Sequence, residues 1–547
     1  MNPSFLNPTG IFAASLLNVR CLTPHVFTAL TFLVFLFSSP LATAFQREGV
    51  SEADINILVV RAMSEFEVPG MAIGIVKAGE TVFASGFGVR EIGKKATVDT
   101  STLFKIASNS KAFTTAALAT LVDDGKIAWD DLVIDHIPEF RMHDPWVTAG
   151  FTVTDLLTHR SGLAPFKGDM LLWPEPNAFT RADVIHALRY FEPVSGFRTR
   201  YAYDNLLYIV AGEIISRVSG KSWGEYVESK LMRPAGMQRC FADRIPAGAM
   251  RNIAVPHGVI EGRLAVIERG RIPRRPPMSA ATGGIICSLD DMLTWVRTQL
   301  NRGTTPSGVE LFSTMQSREM WKPRTLRDVS ERAYELNRTH FSAYGLGWRL
   351  ADVHGFLEVS HTGTLAGMKS YVVMIPELDL GVVYLSNGSS SAARSSVMNT
   401  IVRSFMPVSQ VDWVQMAIDE IADERGSEVN RGEIEKASEN QQPCVPCRMP
   451  DLSLYAGRYR DLWFGDVIIR LEDNRLMFSA EKSPKLRGPL THCAGRQFII
   501  HWIDRSLEAD AYIEFETNEG GVVTGMAMSK LDRGDYDFED LDFARVE

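Results

Sequence analysis

The chain has no long run of lysine or arginine, and its formal net charge is -9 at pH 7. That balance offers nothing to a phosphate backbone, so nucleic-acid partners are set aside. Cysteine is scarce, with six in 547 residues, too few for a disulfide scaffold. Cys444 and Cys447 form one C-x-x-C, but no second pair completes a four-sulfur zinc site, and the 11 histidines include no H-E-x-x-H. No metal or cofactor is therefore expected, and Cys444 and Cys447 read as a loop disulfide or two idle thiols. Charge is almost missing from the first 44 residues, which hold Arg20 and no Lys, Asp or Glu. Their apolar run, Val26 to Phe37, falls short of the ~18 residues a spanning helix needs. It is followed by Ser38-Ser39-Pro40 and the small residues Ala42-Thr43-Ala44, the layout of a secretory signal peptide cut after Ala44. The expectation is an exported protein, periplasmic or secreted, with no membrane span in the mature form; an uncleaved segment would leave it anchored.

What is present is the material of a soluble globular protein, with 45% hydrophobic and 22% charged residues. The length exceeds one ordinary domain. Apolar residues recur at helical spacing from Ser51 to Glu67, and Met71 to Val76 and Thr81 to Ser85 read as a hairpin turning at Ala78-Gly79-Glu80. The middle, Ser101 to Trp295, reads as helical with long loops. Strand character returns at Phe356 to Ser360, Lys369 to Ile375 and Gly381 to Leu385, before a helix over Ala392 to Phe405. Strands at both ends of a helical centre predict one sheet assembled from the two ends of a single domain. From 408 to 450 the chain turns acidic and polar and reads as a linker with one helix near Trp413 to Ile421. Short β-like runs then recur between turn signals: Asp466 to Leu471, Arg475 to Ser479, Gln497 to Trp502, Ala511 to Glu516 and Val522 to Lys530. They predict a small antiparallel barrel of roughly 100 residues. The expected divisions are 1–44, 45–407, 408–450 and 451–547.

The chemistry gathers in three places. A helix starting at Ser108 in Phe104-Lys105-Ile106-Ala107-Ser108-Asn109-Ser110-Lys111 places Ser108 and Lys111 on one face, within roughly 5 to 6 Å. A lysine held there can lose its proton and help take the one on the attacking hydroxyl, while the helix start aims N–H groups at an oxyanion. S-x-x-K alone is weak, because Ser479-Ala480-Glu481-Lys482 fits it too. The second place is Tyr203-Asp204-Asn205, a phenol and an amide two residues apart. A phenol beside an ammonium can have its pKa lowered and serve as base, and Asn205 can hold the lysine and bond substrate. The third is His361-Thr362-Gly363-Thr364, just after a strand, with Gly363 permitting close approach. A competing nucleophile elbow, Gly220-Lys221-Ser222-Trp223-Gly224, follows a helix rather than a strand and reads as a helix-to-helix turn.

In that order Ser108-x-x-Lys111, Tyr203-x-Asn205 and His361-Thr362-Gly363 resemble the three motifs of the class C β-lactamase and penicillin-binding-protein superfamily of serine hydrolases. Supporting stretches match at Leu156 to Leu163, Ala281-Thr282-Gly283-Gly284, Ser288 to Met292 and Tyr344-Gly345-Leu346-Gly347-Trp348, so the similarity spans about Ala53 to Met406. The resemblance implies an α/β (α+β) fold: a transpeptidase-like sheet flanked by helices, with a helical subdomain, ahead of the C-terminal barrel. It also implies an acyl-enzyme mechanism with Ser108 as nucleophile, Lys111 and Tyr203 moving the proton, and Asn205, His361 and Gly363 facing substrate. The oxyanion would lie between the backbone N–H groups of Ser108 and Thr364. Many relatives have Lys where His361 stands, and a histidine is mostly neutral near pH 7. This departure turns the expectation from β-lactams toward small peptides or amides, as in D-residue peptidases and carboxypeptidases. A carboxylesterase or β-lactamase of the same family, and a penicillin-binding sensor with slow turnover, are the alternatives. His159 reads as structural. The tail resembles the lipocalin-like domain of some peptidase members, a packing or homo-oligomerisation module rather than a substrate gate.

Overall fold

The computed structural model describes residues 49–424, 450–531 and 536–546. The expected signal segment, Cys444 and Cys447 lie outside the described residues. An eight-stranded antiparallel sheet forms the frame. Its order runs Glu80–Gly88, Gly70–Lys77, Leu380–Ser386, Met368–Ile375, Phe356–Leu365, Arg349–Val353, Ser342–Tyr344, Thr325–Leu326. The N-terminal hairpin thus pairs with the last strand of the domain, Met71 opposite Ser386 and Lys77 opposite Leu380. These central strands are apolar on both faces because both are covered. Helix Glu52–Glu65, capped by Ser51 accepting from the Asp54 N–H, and helix Ser391–Ser404 lie on one face. Helix Leu289–Leu300 and the helical subdomain lie on the other.

The sheet is wider than the periodicity shows, since the three strands at one edge are short and interrupted by Gly345 and Gly347. The strand Phe356–Leu365 also runs through His361-Thr362-Gly363-Thr364 instead of stopping before it. In the linker region, residues 413–424 are helical. Trp413 and Val414 are buried, and the Trp413 carbonyl accepts from Ser396 Oγ at 2.9 Å, so this stretch belongs to the domain's packing.

A three-stranded sheet, Phe104–Lys105, Ile286–Cys287 and Cys240–Phe241, leads into the segment that carries Ser108. Cys240 and Cys287 oppose each other across two of its strands and form a disulfide, a bond the cysteine spacing does not announce. It closes 47 residues of chain, which by loop entropy is worth about 4 kcal/mol. A Cys240→Ala/Cys287→Ala double variant is expected to lose stability of that order in denaturant unfolding, with the midpoint falling and the slope rising as the unfolded chain expands.

The C-terminal unit is a closed barrel of eight antiparallel strands from Gly457–Asp461 to Asp542–Arg545. Alternation along Ala511–Thr517 turns Ala511, Ile513 and Phe515 inward and Glu514 and Glu516 out. Aromatic rings fill the interior: Phe515 lies 4.7 Å from Tyr455 and 5.5 Å from Phe498. Sequence reading misses three strands, Gly457–Asp461, Arg487–Ala494 and Asp542–Arg545, because Gly488 and Pro489 or polar residues break their apolar pattern. The barrel packs on the helical subdomain. Phe179 meets Phe464 and Phe191 meets Trp463 with centroids 5.4 and 5.1 Å apart. Ala178 N–H donates to the Lys482 carbonyl at 2.7 Å, and Lys167 pairs with Asp540.

Candidate active site

Ser108 does not begin the long helix. Ala107 has φ 49°, a left-handed backbone that L residues adopt at a cost, and Ala107–Asn109 form a 3-10 turn ahead of helix Ser110–Asp123. Ser370 holds the turn by donating to the Ile106 carbonyl at 2.6 Å and accepting from Asn109 Nδ2 at 2.8 Å. Behind it, Ile106 N–H donates to the Ile285 carbonyl. The helix itself is rich in Ala and Thr and buried on every side from Ser110 to Leu121, as a central helix must be.

Lys111 is 0% exposed, and its amine donates to Ser108 Oγ at 3.2 Å, Asn205 Oδ1 at 2.8 Å and the Thr282 carbonyl at 3.0 Å. Asn205 is oriented by accepting from Thr282 Oγ1 and by donating Nδ2 to Asp169 Oδ2 at 2.7 Å. Burial pulls the Lys111 pKa down to about 7, against the upward pull of Asp169 and Asp204. Burial pushes Asp204 up to about 7 and Asp169 well above the carboxylate range, which weakens their hold on the lysine's charge near neutrality. Two of the amine's three partners can only accept. When Lys111 is neutral, its lone pair must therefore face Ser108, the one partner able to donate.

Tyr203 reaches the same point from the loop before helix Leu206–Ser219, whose N-terminal flanking residue is Asn205. Its hydroxyl hydrogen-bonds Ser108, and its ring lies 4.8 Å from the Lys111 amine. The expected lowering of the phenol pKa does not occur, since desolvation raises it. Tyr203 is therefore a phenol and not a phenolate. His159 lies against it with centroids 4.2 Å apart and accepts from the Asp204 N–H at 3.0 Å, which makes it a positioning residue.

The third motif differs from expectation at His361. That side chain is 0% exposed, with Nε2 bonded to Tyr344 Oη at 2.9 Å and Nδ1 to the Thr362 carbonyl at 2.7 Å. Burial and the nearby Arg349 keep its pKa well below 6.5, so it is neutral, with Nδ1 carrying the proton. His361 thus orients Tyr344 and does not face substrate, because both ring nitrogens are spent inside the protein. Two arginines flank the motif: Arg349 Nη1 donates to Thr362 Oγ1 at 2.8 Å, and Arg394 Nη1 donates to the Gly363 carbonyl at 3.0 Å and to Thr364 Oγ1 at 3.1 Å. Gly363 is where the strand touches the nucleophile's turn: a Cβ would sit 2.1 Å from Ser370 Oγ and 2.4 Å from the Ile106 carbonyl. Thr364, next to it, is exposed. The Ser108 and Thr364 N–H groups expected at the oxyanion therefore belong to segments in contact. Gly363→Ala is expected to force them apart, lowering kcat at least about 100-fold and stability by about 1 to 3 kcal/mol, read by steady-state kinetics and thermal melting.

Sequence reasoning passed over Arg349, Asp169 and Ser370. Arg349 directly follows the Tyr344 to Trp348 stretch, a usable signal, whereas nothing near Asp169 or Ser370 marks either. Ser222 caps helix Trp223–Val227 and Ser479 lies on a barrel strand, so neither joins the cluster. Among the described residues no group of three or more His, Cys, Asp or Glu is placed to hold a metal ion, and no helix is long and apolar enough to cross a membrane.

A family profile described as Beta-lactamase matches residues 57–405, and one described as a domain of unknown function (DUF3471) matches 448–545. The chain is 25% identical over 469 residues to the unguisins hydrolase ungD' of Aspergillus campestris, covering 82% of this chain and 84% of that one. It is 24% identical over 345 residues to protein flp of Staphylococcus aureus, covering 62% of this chain and 64% of that protein. Among solved structures, the octameric penicillin-binding protein homologue from Pyrococcus abyssi superposes with a TM-score of 0.56 at 21% identity, over 91% of this chain and 100% of the other. A class C beta lactamase from Rhodobacter sphaeroides gives 0.52 at 19% identity, over 64% and 98%.

Proposed function

The chain belongs to the beta-lactamase family, and from that premise we propose that it is a serine hydrolase working through an acyl-enzyme on small peptides that end in a free carboxylate. The observation that carries the chemistry is the lone-pair argument at Lys111. The neutral amine accepts the Ser108 proton as Oγ attacks the carbonyl carbon, and the oxyanion is received by the Ser108 and Thr364 N–H groups. As the acyl bond breaks, Tyr203 gives its hydroxyl proton to the departing amine and takes one from the Lys111 ammonium. Water then attacks the ester carbonyl, neutral Lys111 takes up the water's proton by way of Tyr203 and passes it to Ser108 Oγ as the C–Oγ bond breaks, and the acid leaves. That a relative carries the name of a hydrolase supports the reaction type.

Arg349 supports the carboxylate. Its charge lies beside Thr362, where a neutral His361 leaves no positive group on the strand itself. Arg349→Gln is expected to lower the ratio of kcat/KM for a D-alanyl-D-alanine peptide over its C-terminal amide by about 10- to 100-fold. An unchanged ratio removes the carboxypeptidase reading, and turnover confined to p-nitrophenyl esters puts a carboxylesterase in its place. Stoichiometric labelling by fluorescent penicillin without turnover supports a sensor instead. Export is supported by the Cys240–Cys287 disulfide, a bond that persists in oxidising compartments. A mature protein starting at Phe45 is the expected product. The barrel's contacts with the helical subdomain support a packing role within one chain, and sedimentation of the full protein tests for a homo-oligomer.

A further inference from the structure

A second chemical feature lies where the barrel meets the helical subdomain. A cavity of about 550 Å³ opens there, lined by Glu175, Arg269, Arg271, Arg275 and Ser279 of the hydrolase region and by Lys485 of the barrel. Its carboxylates are already engaged. Glu175 accepts from Ser279 Oγ at 2.8 Å and faces the buried Lys105 at 3.7 Å, and Glu268 takes two hydrogen bonds from Arg271, at 2.6 and 2.9 Å. Arg269 donates to Ser506 Oγ at 3.1 Å and to its carbonyl at 3.0 Å, and lies close enough to Lys105 to disfavour that lysine's charge. Lys485 pairs at 3.4 Å with Asp504, which is outside the lining. Arg275 is exposed and has no carboxylate partner among the described residues. Four cations and two carboxylates line the space; Arg271 meets Glu268, Lys105 meets Glu175 and Lys485 meets Asp504, which leaves Arg269 and Arg275 as the cations with no carboxylate hydrogen bond among the described residues.

The cavity also adjoins the candidate active site along the chain. Lys105 stands three residues before Ser108, and Ser279 three before Thr282, the carbonyl that receives the Lys111 amine. Three residues of extended chain span at most roughly 10 Å. Leu172, also in the lining, directly follows the turn Asp169–Leu171 that carries the partner of Asn205.

We propose that this cavity is an anion subsite that takes a carboxylate or phosphate, brought either on the acyl portion of the substrate or as a free ion. The substrate form of the proposal rests on the hydrolase reading, with Arg349 serving the leaving side. Two cations from the hydrolase region and one from the barrel converge on the ligand, so the barrel contributes directly to what the site accepts.

The test begins with full-length Ser108→Ala protein, titrated calorimetrically with citrate and with inorganic phosphate, so that binding is read without turnover. Saturable binding is expected. Adding Arg275→Glu and Lys485→Glu is expected to weaken it at least tenfold with the melting temperature kept, and Arg275→Gln alone to weaken it less. No binding to the parent, or equal binding to the double variant, overturns the proposal. A kinetic arm in the Ser108 background then distinguishes the source. If the kcat/KM ratio of mono-p-nitrophenyl glutarate over p-nitrophenyl butyrate falls at least tenfold in the double variant, the substrate's own carboxylate occupies the cavity. A constant ratio with lost citrate binding identifies a free anion. Failure of both esters in the parent is the separate failure of the hydrolase reading, and leaves the titration result standing.

Discussion

Ser108→Ala is expected to lower ester, amide and peptide turnover together by at least about 10⁴-fold while the melting temperature stays where it is. The hydroxyl is the only group of the cluster placed to be the attacking atom: Lys111 is fully buried behind it, and Tyr203 bonds to it from the side. The fold tolerates the loss because Lys111 keeps Asn205 and Thr282 as acceptors. Ser222→Ala and Ser479→Ala are the controls. The first removes an N-cap and costs about 1 kcal/mol of stability, the second touches an outer barrel position, and both keep full activity. Equal activity in all three variants would remove the assignment.

Lys111→Met should be nearly as severe, with kcat falling about 10³-fold, since it removes the base and keeps a side chain of similar length. Replacing a buried amine with a thioether leaves stability little changed. Only the Thr282 carbonyl loses its partner outright, as Asn205 Oδ1 still receives Thr282 Oγ1. The native enzyme supplies the companion measurement. With Lys111 at about 7, acid protonates the amine and removes the lone pair that faces Ser108. The kcat/KM profile should therefore be flat on the alkaline side and fall toward tenfold per pH unit below about 7. Asp204 also titrates at about 7, so the observed inflection belongs to the pair. In Lys111→Met this inflection should vanish. A profile that keeps it would move the base from Lys111 to another group.

Two other residues differ from expectation, Tyr203 in its protonation and His361 in where it faces. Tyr203 looked like a base because an ammonium stands beside it, yet burial makes that ammonium an amine, and the phenol keeps its proton. His361 looked like a weak stand-in for a lysine, and in the fold it is a neutral bridge between Tyr344 and the Thr362 carbonyl. Both outcomes follow from desolvation, which depends on what covers a side chain and so has no local mark in the chain.

The grouping of Ser108, Lys111, Tyr203 and Asn205 was legible because the chemistry restricts residue type and spacing at each position, and three such positions in order leave few other readings. The hairpin, the sheet closed from both ends and the C-terminal barrel were legible because alternation and turn residues are local properties. Short edge strands such as Ser342–Tyr344 were not, since three residues carry no period. The start of the long helix at Ser110 rather than Ser108 depends on Ser370 gripping the Ile106 carbonyl from 264 residues away.

By itself, then, the order of residues determined the architecture and which side chains gather around Ser108, since those rest on periodicity and on residue type and spacing. Tertiary structure alone decided that the buried Lys111 can lose its proton near neutrality beside Ser108, that Arg349 stands against Thr362 while His361 is turned inward, and that the barrel completes the wall of the cavity. Each of these is set by burial or by contact between distant segments, and the free energy of a charge depends on what surrounds it in space.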